Sequence, residues 1–120
     1  MAVSVTNQST PLGNQIVEDT AATNSAQDNV IGGSGTLYAV EIVNPNVSAV
    51  YFKLANSATA TAGTTAADMV LMCPGSVTRS FILPAGVLFN VGFSHWCVTG
   101  AAESDTTPPG SDVTARYVTG

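Results

Sequence analysis

The residues that could do chemistry in this chain are few, and His95 is the only imidazole among its 120 residues. Any general base, catalytic triad or histidine-containing metal site must therefore use His95 or do without a histidine. Serine is frequent, but the Gly-x-Ser-x-Gly pattern of a nucleophile elbow does not occur. We therefore predict no catalytic residue, and we expect His95 to lie at the surface or at an interface.

Zinc is the first metal to consider, because His95 and Cys97 are two residues apart and would share one face of a strand. Cys73 could supply a third ligand. A structural zinc site needs four ligands, usually in closely spaced pairs such as Cys-x-x-Cys, and the chain has no such pair. The two cysteines could instead form a disulfide, or remain two small, partly buried thiols, which is what we expect in a chain of this length.

Calcium and phosphate sites have little support in the sequence. Glu103, Asp105 and Asp112 are oxygen donors, but they lack the one-in-two spacing of a calcium-binding EF-hand loop. Residues 32–35 (Gly-Gly-Ser-Gly) lack the second half of a dinucleotide-binding fingerprint, and no helical pattern follows them. We therefore predict solvated loop carboxylates, no metal and no cofactor.

The aromatic side chains leave a sugar-binding function open. Trp96, Tyr38 and Tyr51 could stack on a sugar ring, as in a carbohydrate-binding module. A β-sandwich usually buries its only tryptophan, so we expect Trp96 in the core. A sugar binder would instead bring Trp96 to the surface, and this difference separates the two functions.

Charge is scarce: the chain has 3 Lys+Arg and 8 Asp+Glu, a net charge of -5 and a charged fraction of 9%. Three basic residues cannot form the basic stripe of a nucleic-acid-binding protein. An apolar fraction of 45% excludes a disordered acidic tail. A transmembrane helix needs about 20 consecutive apolar residues, and the chain has no such run. A surface of Thr, Ser, Ala, Asn and Gly costs little to desolvate, which favours a permanent assembly.

Residues 1–35 are mostly small and polar, and their short apolar groups predict no more than one or two brief strands. Residues 32–35 predict a flexible turn. We expect residues 1–35 to form an extended arm, of which residues 1 to about 30 are ordered only by contact with another chain. Residues 1–8 contain neither a basic region nor an apolar stretch of signal length, so we expect no cleaved leader and folding in a cytoplasm.

From residue 36 onward the pattern is that of β-strands. Tyr38, Val40 and Ile42 share one face at a period of two, residues 50–54 alternate in the same way, and turn residues at 45–48 predict a hairpin between them. Short runs of β-branched and aromatic residues complete seven predicted strands, and they lie at residues 69–72, 77–83, 87–91, 94–99 and 113–118. Residues 36–120 therefore predict one all-β domain, either an antiparallel sandwich or a small barrel, and of these we expect a jelly-roll-like β-sandwich.

The predicted strand at residues 94–99 has two faces. Trp96 and Val98 lie on one, and His95 and Cys97 lie on the other. Burial of an indole removes much apolar area from water, so we expect Trp96 to face the core and His95 to point away from it. Trp96→Ala should then cost about 3–5 kcal/mol, whereas His95→Ala should leave the fold intact.

Two long loops interrupt the strand pattern. Residues 56–68 are rich in Ala and Thr, and residues 100–112 surround a Pro-Pro-Gly turn. Loops of this length in compact domains tend to be functional or to pack on something. Because the chain has so few charges, we expect these loops to contact a partner subunit.

The chain from residue 35 onward resembles small virion proteins of tailed bacteriophages. The similar stretches are residues 35–42 (GTLYAVEI), 50–54 (VYFKL), 64–71 (TTAADMVL), 84–87 (PAGV), 98–109 (VTGAAESDTTPP, the most distinctive) and a closing strand at 112–118. This family consists of β-sandwich proteins that decorate capsids or belong to tails, and it has no known catalytic residues. The resemblance implies a virion location after synthesis in the host cytoplasm, with the major capsid protein or other virion proteins as partners. The uncharged surface, rich in Thr and Ala, and the strand edges that it does not protect predict a homo-oligomer. The resemblance favours a trimer, because such proteins commonly dock at threefold points of a phage head.

We therefore expect a non-enzymatic virion structural protein, most simply a capsid decoration (cement) protein that stabilises the assembled head shell. Nucleic acid and membranes are not expected partners. A tail, fibre or neck component is the alternative within the same class, and a carbohydrate-binding module is the alternative from a different class.

Overall fold

A computed structural model describes residues 3–10 and 13–120, so residues 1, 2, 11 and 12 of the predicted arm lie outside the described residues. In the described part, no helix is long and apolar enough to cross a membrane. The described residues form eight strands: β1 (Val3–Thr10), β2 (Gly13–Ala22), β3 (Gly35–Asn44), β4 (Val50–Asn56), β5 (Met69–Cys73), β6 (Val77–Phe89), β7 (Phe93–Val98) and β8 (Val113–Thr119).

The strands form two antiparallel sheets that pack against each other, which confirms the predicted β-sandwich. The large sheet has the order β1-β2-β8-β3-β6, and the small sheet has the order β5-β4-β7. The core between them is apolar and includes buried Val40, Ile42, Phe52 and Leu54, the alternating residues from which the strands were predicted. Burial of each such side chain contributes roughly 1.5–3 kcal/mol.

The predicted hairpin between β3 and β4 is wrong, because the two strands lie in different sheets. The chain crosses the sandwich at residues 45–49, and the buried Asn44 side chain holds the crossing. Its Nδ2 lies 2.9 Å from the Ser48 carbonyl oxygen and 3.0 Å from that of Pro74, and its Oδ1 accepts a hydrogen bond from Asn46 N at 3.0 Å. An alternating pattern on both strands suits two facing sheets as well as one hairpin, so periodicity alone cannot separate these arrangements.

The N-terminal segment also differs from the expected arm. β2 pairs with β8 along most of its length and lies inside the large sheet. Val17 and Asp19 of β2 are both 0% exposed. Residues 13–22 are therefore part of the sandwich in a single chain, because β2 covers core side chains that β8 alone would leave exposed.

Residues 23–30 continue this role along the free edge of β7. Gln27 and His95 exchange two backbone hydrogen bonds, of 2.8 and 3.0 Å, and Cys97 N donates to the Thr23 carbonyl oxygen at 2.8 Å. This irregular segment acts as a fourth member of the small sheet. The unpaired backbone groups of β7 are thereby satisfied without a partner chain.

A large bulge interrupts the pairing of β3 with β6. Leu37 pairs with Val87 and Ala39 pairs with Ile82, so the four β6 residues 83–86 stand opposite the single residue Tyr38. Bulges of this kind redirect side chains and end regular pairing. Here the bulge opens a groove beside Tyr38 on the outer face of the large sheet.

Gly86→Ala should destabilise the fold more than Gly32→Ala, although the two glycines have similar φ angles of +75° and +77°. A Cβ at Gly86 would collide with Thr36 Cγ2 and lie 3.0 Å from Tyr38 Cε1, whereas a Cβ at Gly32 would meet nothing within 4 Å. We expect losses of about 2–5 kcal/mol at Gly86 and about 1–2 kcal/mol at Gly32 in urea unfolding. Equal losses would contradict the close packing of Gly86 against β3.

Candidate functional site

His95 lies between the two sheets, so the expectation that it points away from the core is wrong. Its side chain is 0% exposed. His95 Nε2 lies 2.8 Å from Asp19 Oδ2 of β2, and Nδ1 lies 2.9 Å from Tyr117 Oη of β8. The ring also packs against Phe52, with 5.2 Å between the ring centroids.

The physical reason is that β7 is buried on both faces. The alternation itself is as predicted: Cys97 joins the inter-sheet core, and Trp96 and Val98 belong to a second cluster on the other face. Trp96 is 1% exposed there. Because both faces exclude water, apolar area cannot decide which one points inward, and the polar partners of His95 decide it instead.

The hydrogens of this polar network can all be assigned to acceptors. Burial, and secondarily the nearby Asp19, raises the pKa of Tyr117 well above its ordinary value, so Tyr117 keeps its hydroxyl proton. That O–H donates to His95 Nδ1, and His95 Nε2–H donates to Asp19 Oδ2. Asp19 Oδ1 accepts a further hydrogen bond from Ala21 N at 3.0 Å. We therefore assign the Nε2 proton of His95 to the hydrogen bond with Asp19 and the Tyr117 hydroxyl proton to the hydrogen bond with Nδ1.

The network resembles a catalytic constellation in composition only. Asp19 and His95 are 0% exposed and Tyr117 is 1% exposed, so all three side chains are closed off from solvent in this structure. Its role in this fold is structural, because it joins β7 of the small sheet to β2 and β8 of the large sheet. Asp19 was not singled out in the sequence, where its position two residues after Val17 is the only sign of an inward-facing carboxylate.

Both cysteines are free and buried. Cys73 pairs with Val50 and Cys97 pairs with Phe52, so a whole strand, β4, separates the two thiols. Burial is the main cause that raises the pKa of Cys97 to about 12. The zinc ligand set weighed above does not form either, because both ring nitrogens of His95 are already engaged, and no metal-binding group of three His, Cys, Asp or Glu side chains exists among the described residues.

The two long loops cover the outer face of the small sheet. Trp96 packs there with Ala60, Ala62 and Ala67 of the loop between β4 and β5. Lys53, at 1% exposure, donates from Nζ to the Ala102 carbonyl oxygen of the last loop at 2.7 Å. These loops therefore contact their own chain, and a sugar platform built on Trp96 is not accessible.

The outer face of the large sheet is different, and we call it the uncovered face: Ile16, Glu18, Ala39, Glu41, Ile82, Arg116 and Val118. Strand register places Ile16, Val118, Ala39 and Ile82 in one apolar row across four strands. These side chains are half-buried or, for Ile82, 68% exposed. Two grooves of about 320 and 290 Å³ share Ala39, Ile82 and Val118 in their walls.

A charged row runs beside the apolar row. Arg116 Nε donates to Glu18 Oε2 at 2.6 Å, and Nη1 donates to Glu41 Oε1 at 2.9 Å. These hydrogen bonds raise the pKa of Arg116 above its ordinary value, so it stays charged. The row spans three strands and leaves the uncovered face with little net charge.

Comparison with known proteins adds no relative: no family model, no curated protein and no solved structure matches the chain.

His95→Ala should lower the free energy of unfolding by about 3–5 kcal/mol, because the buried Asp19 carboxylate loses its partner. The double variant Asp19→Ala/His95→Ala should lose less than the sum of the two single variants, because the two side chains interact directly. Trp96→Ala keeps its expected loss of about 3–5 kcal/mol. Urea unfolding of the two single variants, the double variant and Trp96→Ala, each compared with the unchanged chain, measures these losses. A His95→Ala loss below about 1 kcal/mol, with additive single variants, would contradict the buried pairing.

Proposed function

We propose that this chain is a non-enzymatic structural protein of a phage virion, most simply a capsid decoration protein that binds and stabilises the assembled head shell. The observation that carries the proposal is the difference between the two outer faces. The chain's own loops cover the small sheet, whereas the large sheet keeps an apolar row exposed or half-buried. A contiguous apolar patch of this kind is typical of a protein-binding surface.

The chemistry of the uncovered face suits a protein shell. Its carboxylates, Glu18 and Glu41, are paired with Arg116, so docking does not require the burial of an unpaired charge. Ile82 and Val118 offer apolar side chains beside the Tyr38 groove. A protein that binds the assembled shell and not its free subunits stabilises the shell by mass action, without any chemistry of its own.

The jelly-roll assignment belongs to the same proposal. With residues 23–30 counted as a fourth member, the small sheet has four strands, and β2-β8-β3-β6 make four in the large sheet, where β1 is an additional edge strand. The links from β3 to β4, β5 to β6, β6 to β7 and β7 to β8 all cross between the sheets. Two four-stranded sheets with such crossings are the pattern of a jelly roll, a common capsid-protein architecture.

The alternatives differ in what they require of the molecule. A tail, fibre or neck component would use the same uncovered face against a different virion protein. A carbohydrate-binding module would need an accessible aromatic platform, and the burial of Trp96 removes the best candidate for one. The virion readings are therefore favoured over sugar binding.

An electron-microscopy reconstruction of the phage particle whose genome encodes this chain tests the proposal. Copies on the outside of the head, with the uncovered face toward the shell, are expected. Copies confined to the tail or neck would select the alternative, and absence from the particle would overturn a virion role.

Val118→Lys should reduce the number of copies bound to purified shells by about tenfold, because it places a charge in the middle of the apolar row. Ala66→Lys, on the exposed surface of the loop over the small sheet, is the matched control and should bind as the unchanged chain does. Copy number per shell is measured after sedimentation, and circular dichroism checks that each variant folds. Equal losses for the two variants would contradict the assignment of the binding face.

A further inference from the structure

One side of the sandwich is open in both sheets. β6 is the last strand of the large sheet and β5 is the last strand of the small sheet, and each pairs with one neighbour only among the described residues. Both edges lie on the same side, because residues 74–76 join the two strands directly. Arg79 Nη1 of β6 donates to the Met72 carbonyl oxygen of β5 at 3.2 Å across the opening. We call the surface formed by β5 and β6 the open side.

The open side holds most of the exposed apolar side chains. Nine large apolar residues in the described part of the chain are exposed, and six of them lie on these two strands: Val70, Met72, Val77, Ile82, Val87 and Leu88. Partly buried Leu71 and Phe81 line the gap between the sheets. Water therefore contacts apolar side chains on both edge strands.

Charge is nearly absent from the open side. β5 and β6 contain no acidic residue, although the whole chain carries a net charge of -5. Their single charged residue is Arg79. Its guanidinium lies 5.1 Å from the centre of the Phe81 ring and also donates the hydrogen bond to the Met72 carbonyl oxygen. Edge strands are usually protected by several charges, above all lysine. Two copies of this acidic chain can approach through this side without opposing their carboxylates.

We propose that a second copy of this chain covers the open side, with the two copies related by a two-fold axis. A single added strand could pair with β5 or with β6, but not with both. Another sandwich presents two edges at the same spacing, and a two-fold axis brings β6 against β6 and β5 against β5. Both sheets then continue through the interface in antiparallel pairing, and two-fold symmetry closes the assembly at two chains.

The geometry of β6 limits the pairing to its first half. Val77–Ile82 runs in regular register with β3, and the bulge at residues 83–86 follows it. Pro84 lacks a backbone donor, which suits the end of a paired edge. The contact uses the backbone edges of β5 and β6 and shares only Ile82 with the uncovered face, so it can exist whether or not the chain binds a virion shell.

The mass of the purified chain and of three lysine variants, measured by sedimentation equilibrium, tests the proposal. The unchanged chain should have twice its 12.2 kDa monomer mass. Thr78→Lys on β6 and Val70→Lys on β5 should each weaken association about tenfold or more, because lysine at a paired edge must be desolvated. Val5→Lys on β1, the opposite edge of the large sheet, is the matched control: Val5 is 40% exposed and Val70 is 43% exposed.

Each other outcome overturns the two-fold contact. A monomer at high concentration would show that the open side stays uncovered. A mass of three chains would favour the trimer that the resemblance implies, and loss of association in Val5→Lys would point to head-to-tail pairing of β1 with β6. Association that survives Thr78→Lys and Val70→Lys would place the contact elsewhere. Circular dichroism of each variant separates loss of contact from loss of fold.

Discussion

The constraint on which this fold depends is the burial of the Asp19 carboxylate between two sheets. A carboxylate removed from water needs hydrogen-bond donors close by. The backbone supplies one from Ala21, and the opposite sheet supplies the other from His95. Tyr117 completes the set by donating to the second nitrogen of the ring. An apolar core would accept many relative positions of the sheets, whereas this network accepts few, because each donor must meet its acceptor.

The position of β7 follows from this network and determines the two outer surfaces. With His95 and Cys97 directed inward, Trp96 and Val98 face outward and need a cover of their own. Small alanine side chains in the loop between β4 and β5 can approach an indole closely, and they provide that cover. Both long loops therefore cover the outer face of the small sheet, and neither covers the large sheet. The large sheet retains its apolar row, and this asymmetry is the physical basis for a binding face on one side of the molecule.

The sequence allowed the fold class and most strands to be predicted, because alternating residues such as Val40 and Ile42 report one buried face directly. It could not determine which strands are neighbours, so Asn44 was not recognised as the residue that holds a crossing between sheets. The alternation of side chains along a strand placed Trp96 and His95 on opposite faces, as observed. The choice of Trp96 for the inward face rested on its hydrophobicity. That criterion fails for a strand buried on both sides. The partners of His95 are 76 and 22 residues away in the chain, and periodicity carries no information at such distances.

Nitrogen-15 NMR of the imidazole ring tests the buried network most directly, because His95 is the only histidine and its signals need no assignment. The hydrogen-bond partners of the ring predict a proton on Nε2 and an accepting Nδ1, with an Nε2 proton that exchanges slowly with water. Contacts from the ring to Phe52 and Tyr117 protons should accompany it. A ring whose tautomers interconvert rapidly and whose proton exchanges freely would place His95 at the surface. That result would contradict the inward direction of β7, and with it the origin of the uncovered face.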